Sequence, residues 1–345
     1  MPAWGGVGSS KADANGTRHG ADMDETVLKL LDADDGEPDL PFYFVWANEA
    51  FVWKWQWPHG RVAKLAPGAQ QVPQNYERAG WWPHFRYLLP FFQHSNYHRV
   101  DGKPVFAVYE ALQKSPTAQG ELDDMMQQFH RWALHAGLGG LHVLQFHHEG
   151  FLNDVNGLQR LRPWANGVQS FGRRHRLNGH ELDLETQPAW LPEHIRWYPG
   201  LFLGFDNTPR MGKKAGVNTA LYNSFALRVD NALNYTLRIQ ASKPPARSPA
   251  MLLLVAFNEW SEGCVLEPNS VHGVRHLITV RDALSRHGQL HRSPGGHKGP
   301  AVPAQRVTKQ LSKCAPSPPS LLKRLFGERA AHMSPSRSPF IYGKG

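Results

Sequence analysis

Residues 251–263 read MLLLVAFNEWSEG: seven apolar residues followed at once by two carboxylates, an indole and a glycine. A short apolar run that stops this abruptly reads as a buried strand rather than a helix. Polar residues directly behind such a strand mark the end at which α/β barrels collect their chemistry. Other stretches repeat the pattern. PFYFVWAN (41–48) is an aromatic strand closed by Ala47 and Asn48, PVFAVY and LHVLQF are two more strands, and YPGLFLGFDN ends its strand on Asp206 and Asn207.

Helical patterns separate these strands. DMDETVLKLLDA, WWPHFRYLLPFFQ, ELDDMMQQFHRWALHAG, TALYNSFALRVDNALNYTLRIQA and HLITVRDALSRHG each place apolar residues at helical spacing, and GLGG stops the third. Strand-then-helix alternation predicts an α/β fold of parallel strands. The expected class is a (β/α)8 TIM barrel. A doubly wound sheet would favour a glycine-rich first turn, and the sequence contains neither GxGxxG nor a P-loop. Five or six strands are legible where a full barrel needs eight. The reading preferred over weak strands hidden in 150–200 is a barrel incomplete at its N-terminus.

Composition divides the chain. Residues 292–345 hold ten Lys/Arg and one acid, Glu328, whereas residues 1–291 hold 28 basic and 28 acidic residues. The overall charge of +9 therefore belongs to a Pro/Ser/Gly-rich tail that reads as disordered. Such a tail could touch anionic surfaces weakly, but it does not make the neutral remainder a nucleic-acid binder. The expected organisation is a loose N-terminus over 1–22, a barrel region over 23–290 and the basic tail over 291–345. Two cysteines give neither a disulfide framework nor a thiolate metal site. The longest apolar runs are too short to span a bilayer. No cofactor or metal is expected, because the sequence lacks HExxH or comparable ligand spacing.

Three segments carry candidate chemistry. In FNEWSEG, one helical turn would bring Glu259 and Glu262 to a common face, and two carboxylates in a semi-enclosed mouth drive their pKa values apart. One can then donate a proton while the other accepts one, which is what glycosidic-bond chemistry requires. Trp260 offers a flat apolar wall to a sugar ring, and Glu267 adds a third carboxylate. The bland alternative is a polar turn under a packed tryptophan.

WANEAFVWKWQW (46–57) puts four tryptophans around Asn48 and Glu49. Trp46, Asn48 and Glu49 are therefore candidates for a hydroxyl-reading subsite, against a tryptophan lid packed on the core. In FDNTPRMG, Asp206 and Asn207 can bond sugar hydroxyls and Arg210 can fix an anion. Equally, Asp206 and Asn207 could bond their own backbone before Pro209. His147 and His148 follow a strand and read as rim residues at most.

These segments carry a family resemblance. WANEAFVWKW, HFRYLLPFFQHSNYHRVDGKPVFAVYE, YPGLFLGFDNTPR and FNEWSEGCVLEPNSVHG, in that order, resemble the WbsX-like glycosyltransferase family over about residues 35–290. That family is similar to the glycoside hydrolase family 99 clan of endo-α-mannosidases. The resemblance implies a (β/α)8 barrel acting on an oligosaccharide or larger glycan. It also implies Glu262 as general acid/base and Glu259 as the base that activates the sugar's own 2-hydroxyl, giving retention through a 1,2-anhydro sugar. The chain departs from the pattern in lacking YLPQFHP and GFTEW segments, and in reading WANEAF where WANENW is usual. Water or a sugar hydroxyl could be the acceptor, so hydrolase and transferase both remain open, as does a glycan-binding protein without turnover.

Overall fold

The computed structural model describes residues 31, 41–48, 51–52, 71–72, 76–147, 157–172, 186–211, 217–218, 224–241 and 250–289. In chain order the strands and helices are β1 (Phe44–Trp46), β2 (Phe51–Val52), β3 (Gln71–Val72), α1 (Arg78–Gln93), β4 (Arg99–Val100), β5 (Lys103–Val108), α2 (Pro116–His135), β6 (His142–His147), α3 (Gly157–Arg160) and β7 (Gly167–Ser170). They continue with β8 (Arg196–Tyr198), β9 (Gly200–Phe202), β10 (Phe205–Asp206), α4 (Thr208–Met211), β11 (Val217–Asn218), α5 (Phe225–Ala241), β12 (Leu253–Val255), β13 (Asn258–Glu259), β14 (Cys264–Val265) and α6 (Arg275–Arg286). All lie within the compact unit Met1–Val302.

β1, β5, β6, β7 and β8 pair in parallel in that order, and β9 pairs in parallel with β12. β8 and β9 are one strand path interrupted at Pro199, which has no N–H to donate to a ladder. The Pro199 carbonyl still accepts from Leu253 N at 2.9 Å and from Gln169 Nε2 at 3.3 Å, so the path stays tied on both sides. Counting β8–β9 once, six parallel positions follow one another in chain order. A doubly wound sheet reverses its order at a switch point, and no such reversal occurs among the described residues. The protein is thus mixed α/β with a parallel sheet.

Weak strands within 150–200, the reading not preferred from sequence, are present: the stretch supplies β7 and β8. Both escape a periodicity reading because they are only four and three residues long. Gly167 is needed in β7: a Cβ there would stand 2.6 Å from Cε2 of Tyr198 and 2.9 Å from Cδ2 of Leu144.

Period-two alternation sorts the side chains onto two faces. Val105, Ala107, Leu144, Phe146, Phe171, Tyr198, Phe202 and Val255 form one buried cluster with Tyr43, Val45 and Tyr109 at its margin. The opposite face lies under the helices: Phe44 packs edge-on to Phe91 of α1, and Phe106 meets Phe92 of α1 and Phe129 of α2. α2 starts at Ser115, whose hydroxyl accepts from Ala118 N, with Pro116 in the first turn. It ends where Gly137 takes φ +77°, with Leu138 N returning to Ala133 O. The expected helix DMDETVLKLLDA lies outside the described residues apart from Leu31, and the tail beyond Gln289 lies wholly outside them. No described helix is long and apolar enough to cross a membrane.

Two buried imidazoles make acid sensitivity predictable. His84 of α1 sits among Trp46, Phe106 and Phe129, and His142 of β6 lies 2.9 Å from the Tyr198 hydroxyl. Burial pushes both pKa values down to about 3, from an ordinary value of 6.5. Between those values the unfolded chain takes up protons that the folded chain refuses. Stability therefore falls as pH drops from about 6.5 towards 3, by up to about 1.4 kcal/mol per pH unit for each histidine. His84→Phe should remove one share of that slope, read by urea unfolding from pH 7 to pH 4.5.

Candidate active site

β12 delivers the chain into a short hairpin. β13 and β14 pair antiparallel, Asn258 with Val265 and Glu259 with Cys264, leaving residues 260–263 as the loop. That loop is a 3-10 turn, Trp260–Glu262, closed by Gly263 at φ +67°, a conformation glycine adopts without penalty. Glu262 ends this turn, and Glu259 is the residue that leads into it, with ψ +74°. Both glutamates are half-buried.

Local bonds hold the hairpin. Ser261 Oγ donates to Glu259 Oε1. Leu266 N and Glu267 N both reach the Phe257 carbonyl at 2.9 Å. Cys264 is buried, and its thiol donates to the Gly204 carbonyl at 2.8 Å, tying the hairpin to the chain just after β9. Trp260 is 52 % exposed, and its Nε1 donates to Glu267 Oε2 at 2.8 Å.

The 3-10 turn lies beside β10 and α4. Thus the structure brings together two segments that the sequence singled out, FDNTPR (205–210) and NEWSEG (258–263). Asp206 Oδ1 accepts from Thr208 N at 2.9 Å and from Thr208 Oγ1 at 2.6 Å, so this oxygen caps α4. The local alternative weighed for Asp206 is therefore realised by one of its two oxygens. Asn207 Oδ1 is buried with no hydrogen-bond partner among the described residues. Arg210 lies in α4, and its side chain is outside the described set.

The WANE segment is placed differently from expectation. Trp46 is 2 % exposed and points to the helix-covered face, against Tyr76, His84 and Phe106. Alternation is the reason: Trp46 shares its face with Phe44, away from Val45 and the inner cluster. It is a core side chain, not a wall offered to a sugar. Asn48 is also buried. Its amide donates to Tyr76 Oη at 2.9 Å and to the Glu110 carbonyl at 2.8 Å, and its Oδ1 accepts from Glu110 N at 2.7 Å. One amide proton and Oδ1 thereby hold the end of β1 to Glu110 just past β5, and the other proton goes to Tyr76 ahead of α1. Asn48→Ala should cost about 2–4 kcal/mol, because it strands buried polar partners as well as deleting bonds; the shift in a denaturant midpoint checks this. Glu49, His148 and Glu149 lie outside the described residues. His147 ends β6 fully buried, its ring 6.0 Å from Trp197, rather than standing at a rim.

Tyr109 was not singled out from the sequence. It follows β5 on the inner face, partly exposed, edge-on to Phe171 at 5.7 Å and tilted against Phe146 at 5.8 Å. These three rings floor the same end of the parallel strands from which the hairpin rises. Its parity with Val105 and Ala107 was the available signal.

Asp123 and Asp124 do not form a paired acidic site. Asp123 is clamped by both Arg162 and the Trp164 indole, at 2.7 Å from the latter, while exposed Asp124 meets Arg78 at 3.4 Å. Among the described residues no group of three or more His, Cys, Asp or Glu could hold a metal ion.

Comparison with known proteins adds the following. Two proteins of Xanthomonas campestris pv. campestris, from strains B100 and ATCC 33913 and each named "Uncharacterized protein WxcX", are 25% identical over 272 residues. That is 72% of this chain but 35% of theirs, so the chain spans about a third of the length of the curated relatives it matches. A solved chain named "Glycoside hydrolase-like protein" aligns at 13% identity with a TM-score of 0.42, over 59% of this chain and 60% of that one. The family model described as "Glycosyltransferase WbsX" matches residues 23–178 and 185–280, which include β1, the parallel strands and the whole NEWSEG hairpin. The chain belongs to the WbsX glycosyltransferase family, a carbohydrate-active family.

Proposed function

We propose that this chain acts at an α-glycosidic bond of a glycan, with Glu262 as general acid/base and Glu259 as the base for the sugar's 2-hydroxyl. One observation carries the reading. Both glutamates and a half-exposed tryptophan stand on a single tight hairpin at the C-terminal end of a parallel strand, beside the Asp206 segment. Strand-end placement is where barrel enzymes hold their reacting groups. In the same reading, the six parallel positions belong to a (β/α)8 barrel, residues 23–290 form the glycan-handling region, and the basic tail 291–345 makes weak contact with anionic surfaces.

The chemistry balances with these two groups alone. The Glu259 carboxylate takes the 2-hydroxyl proton as O2 attacks C1, and the glycosidic C1–O bond breaks. Glu262 gives its proton to the departing oxygen, leaving a 1,2-anhydro sugar. Glu262 then removes a proton from the incoming hydroxyl as that oxygen opens the ring at C1, and Glu259 returns its proton to O2. Two inversions at C1 give net retention. An incoming water makes the protein a hydrolase, whereas an incoming sugar hydroxyl makes it a transferase. Trp260 would face the apolar side of a bound ring, and Asn207, whose side-chain oxygen is buried with no hydrogen-bond partner among the described residues, would recognise a hydroxyl.

The family description favours transfer. Against a nucleotide-sugar donor held through a paired-aspartate metal site stands the structural commitment of Asp123. The test is incubation of the full chain with an aryl α-mannoside, with and without an α-mannobiose acceptor, with products read by mass spectrometry and their anomeric configuration by NMR. Retained products support the reading, and their size tells hydrolysis from transfer. Binding of mannobiose without turnover of any α-mannoside contradicts it in favour of a non-catalytic glycan-binding protein.

A further inference from the structure

Glu267 lies five residues beyond Glu262, and a third carboxylate so near an acid/base pair invites assignment as another sugar ligand. Its contacts assign it differently. Glu267 Oε2 accepts the Trp260 indole N–H at 2.8 Å. Its backbone is pinned from both sides: Glu267 N donates to the Phe257 carbonyl at 2.9 Å, and Asn269 Nδ2 donates to the Glu267 carbonyl at 3.2 Å. Asn269 is itself fixed, because its Oδ1 accepts from Val271 N at 3.1 Å and His272 N at 2.8 Å. The carboxylate thus hangs from a rigid strut that starts at the base of the hairpin and ends at its tip.

We propose that Glu267 is a positioning residue that fixes the indole plane of Trp260 beside the Glu259–Glu262 pair. With 52 % of its surface exposed, Trp260 is packed over only part of its side chain. A bond from its N–H to the Glu267 side-chain oxygen supplies the missing constraint, since hydrogen bonds are directional. A wall fixed before the ligand arrives saves the ordering that binding would otherwise require. The assignment rests on reading the hairpin as a glycan site, and it separates Glu267, which acts through Trp260, from the glutamates that meet the reacting atoms.

The test uses the full chain with 15N-labelled indoles. Trp260→Phe identifies the Trp260 Nε1–H resonance by its loss. Glu267→Leu should then shift that resonance and speed its exchange with water at least fivefold, whereas Glu267→Gln, whose amide oxygen still accepts, should stay near wild type. For affinity, α-linked mannotriose should bind about fivefold more weakly to Glu267→Leu, near normally to Glu267→Gln, and no more weakly to Trp260→Phe/Glu267→Leu than to Trp260→Phe. An unmoved resonance in folded Glu267→Leu overturns the proposal. So does a moved resonance with unchanged affinity, or an equal loss in the Trp260→Phe background. If wild type binds no mannotriose yet the resonance moves, the orienting contact stands and the glycan-site reading is what fails.

Discussion

Glu262→Gln should lower turnover of an α-linked glycan by about 10³-fold while leaving the unfolding midpoint near that of wild type. The size follows from the role: a side chain that protonates a departing sugar oxygen contributes about 10²–10⁴-fold. The selectivity follows from the site. Glu262 is only half-buried, and it ends a 3-10 turn that Gly263 and the β13–β14 pairing close through the backbone. Glutamine keeps the shape and the acceptor oxygen and removes only the proton. With a leaving group that departs without protonation, such as dinitrophenolate, the loss should shrink to within about tenfold for the first step. A uniform loss on both substrates would assign Glu262 to binding rather than to acid catalysis.

Gly200→Ala should be the most damaging single-methyl change in the described part of the protein, costing more than about 3 kcal/mol. A Cβ on Gly200 would land on the Ser170 carbonyl oxygen and stand 2.8 Å from both Gly172 N and the Phe171 carbonyl carbon. All three neighbours are backbone, so no side chain can rotate away. The same spot is where the β8–β9 path passes from one parallel partner to the next, with Gln169 donating to the Ser170 and Tyr198 carbonyls at 3.0 Å each. Relief would have to open that junction. Gly120→Ala provides the contrast, since Gly120 lies inside α2 with nothing within 4 Å of a new Cβ. There alanine should stabilise by about 0.5–1 kcal/mol through helix propensity alone. Denaturant midpoints of the two variants should move in opposite directions.

Which features the sequence revealed depended on which physics wrote them. β12 was legible because an apolar run stops against polar residues, and α2 because its apolar stripe runs into GLGG, although it starts at Pro116, ahead of the expected Glu121; the hairpin after β12 was not read, since a single helical turn suits NEWSEG as well. β7 was hidden because Gly167 and Gln169 fill needs of the neighbouring strands rather than of its own periodicity, and β8 because it is only three residues long. Trp46 and Asn48 misled for another reason. Their residue types suit a sugar, but Trp46 shares the parity of Phe44, and the donors of Asn48 are claimed by Glu110 and Tyr76, residues 62 and 28 positions away. Such long-range satisfaction leaves no trace in a local window. Cys264, whose thiol reaches Gly204 across 60 residues, is silent for the same reason. Tyr109 was within reach of an alternation argument, had the residue just past β5 been followed along the inner face.

Whether Glu259 and Glu262 act as one catalytic unit is read from turnover of a single aryl α-mannoside by four folded proteins. These are wild type, Glu259→Gln, Glu262→Gln and the double variant. Groups that serve one transition state are strongly non-additive, so each single change should remove about 10³-fold and the double should lose at most about tenfold more. Wild-type turnover in either single variant, or losses that multiply in the double variant, would show that the two glutamates do not serve one transition state.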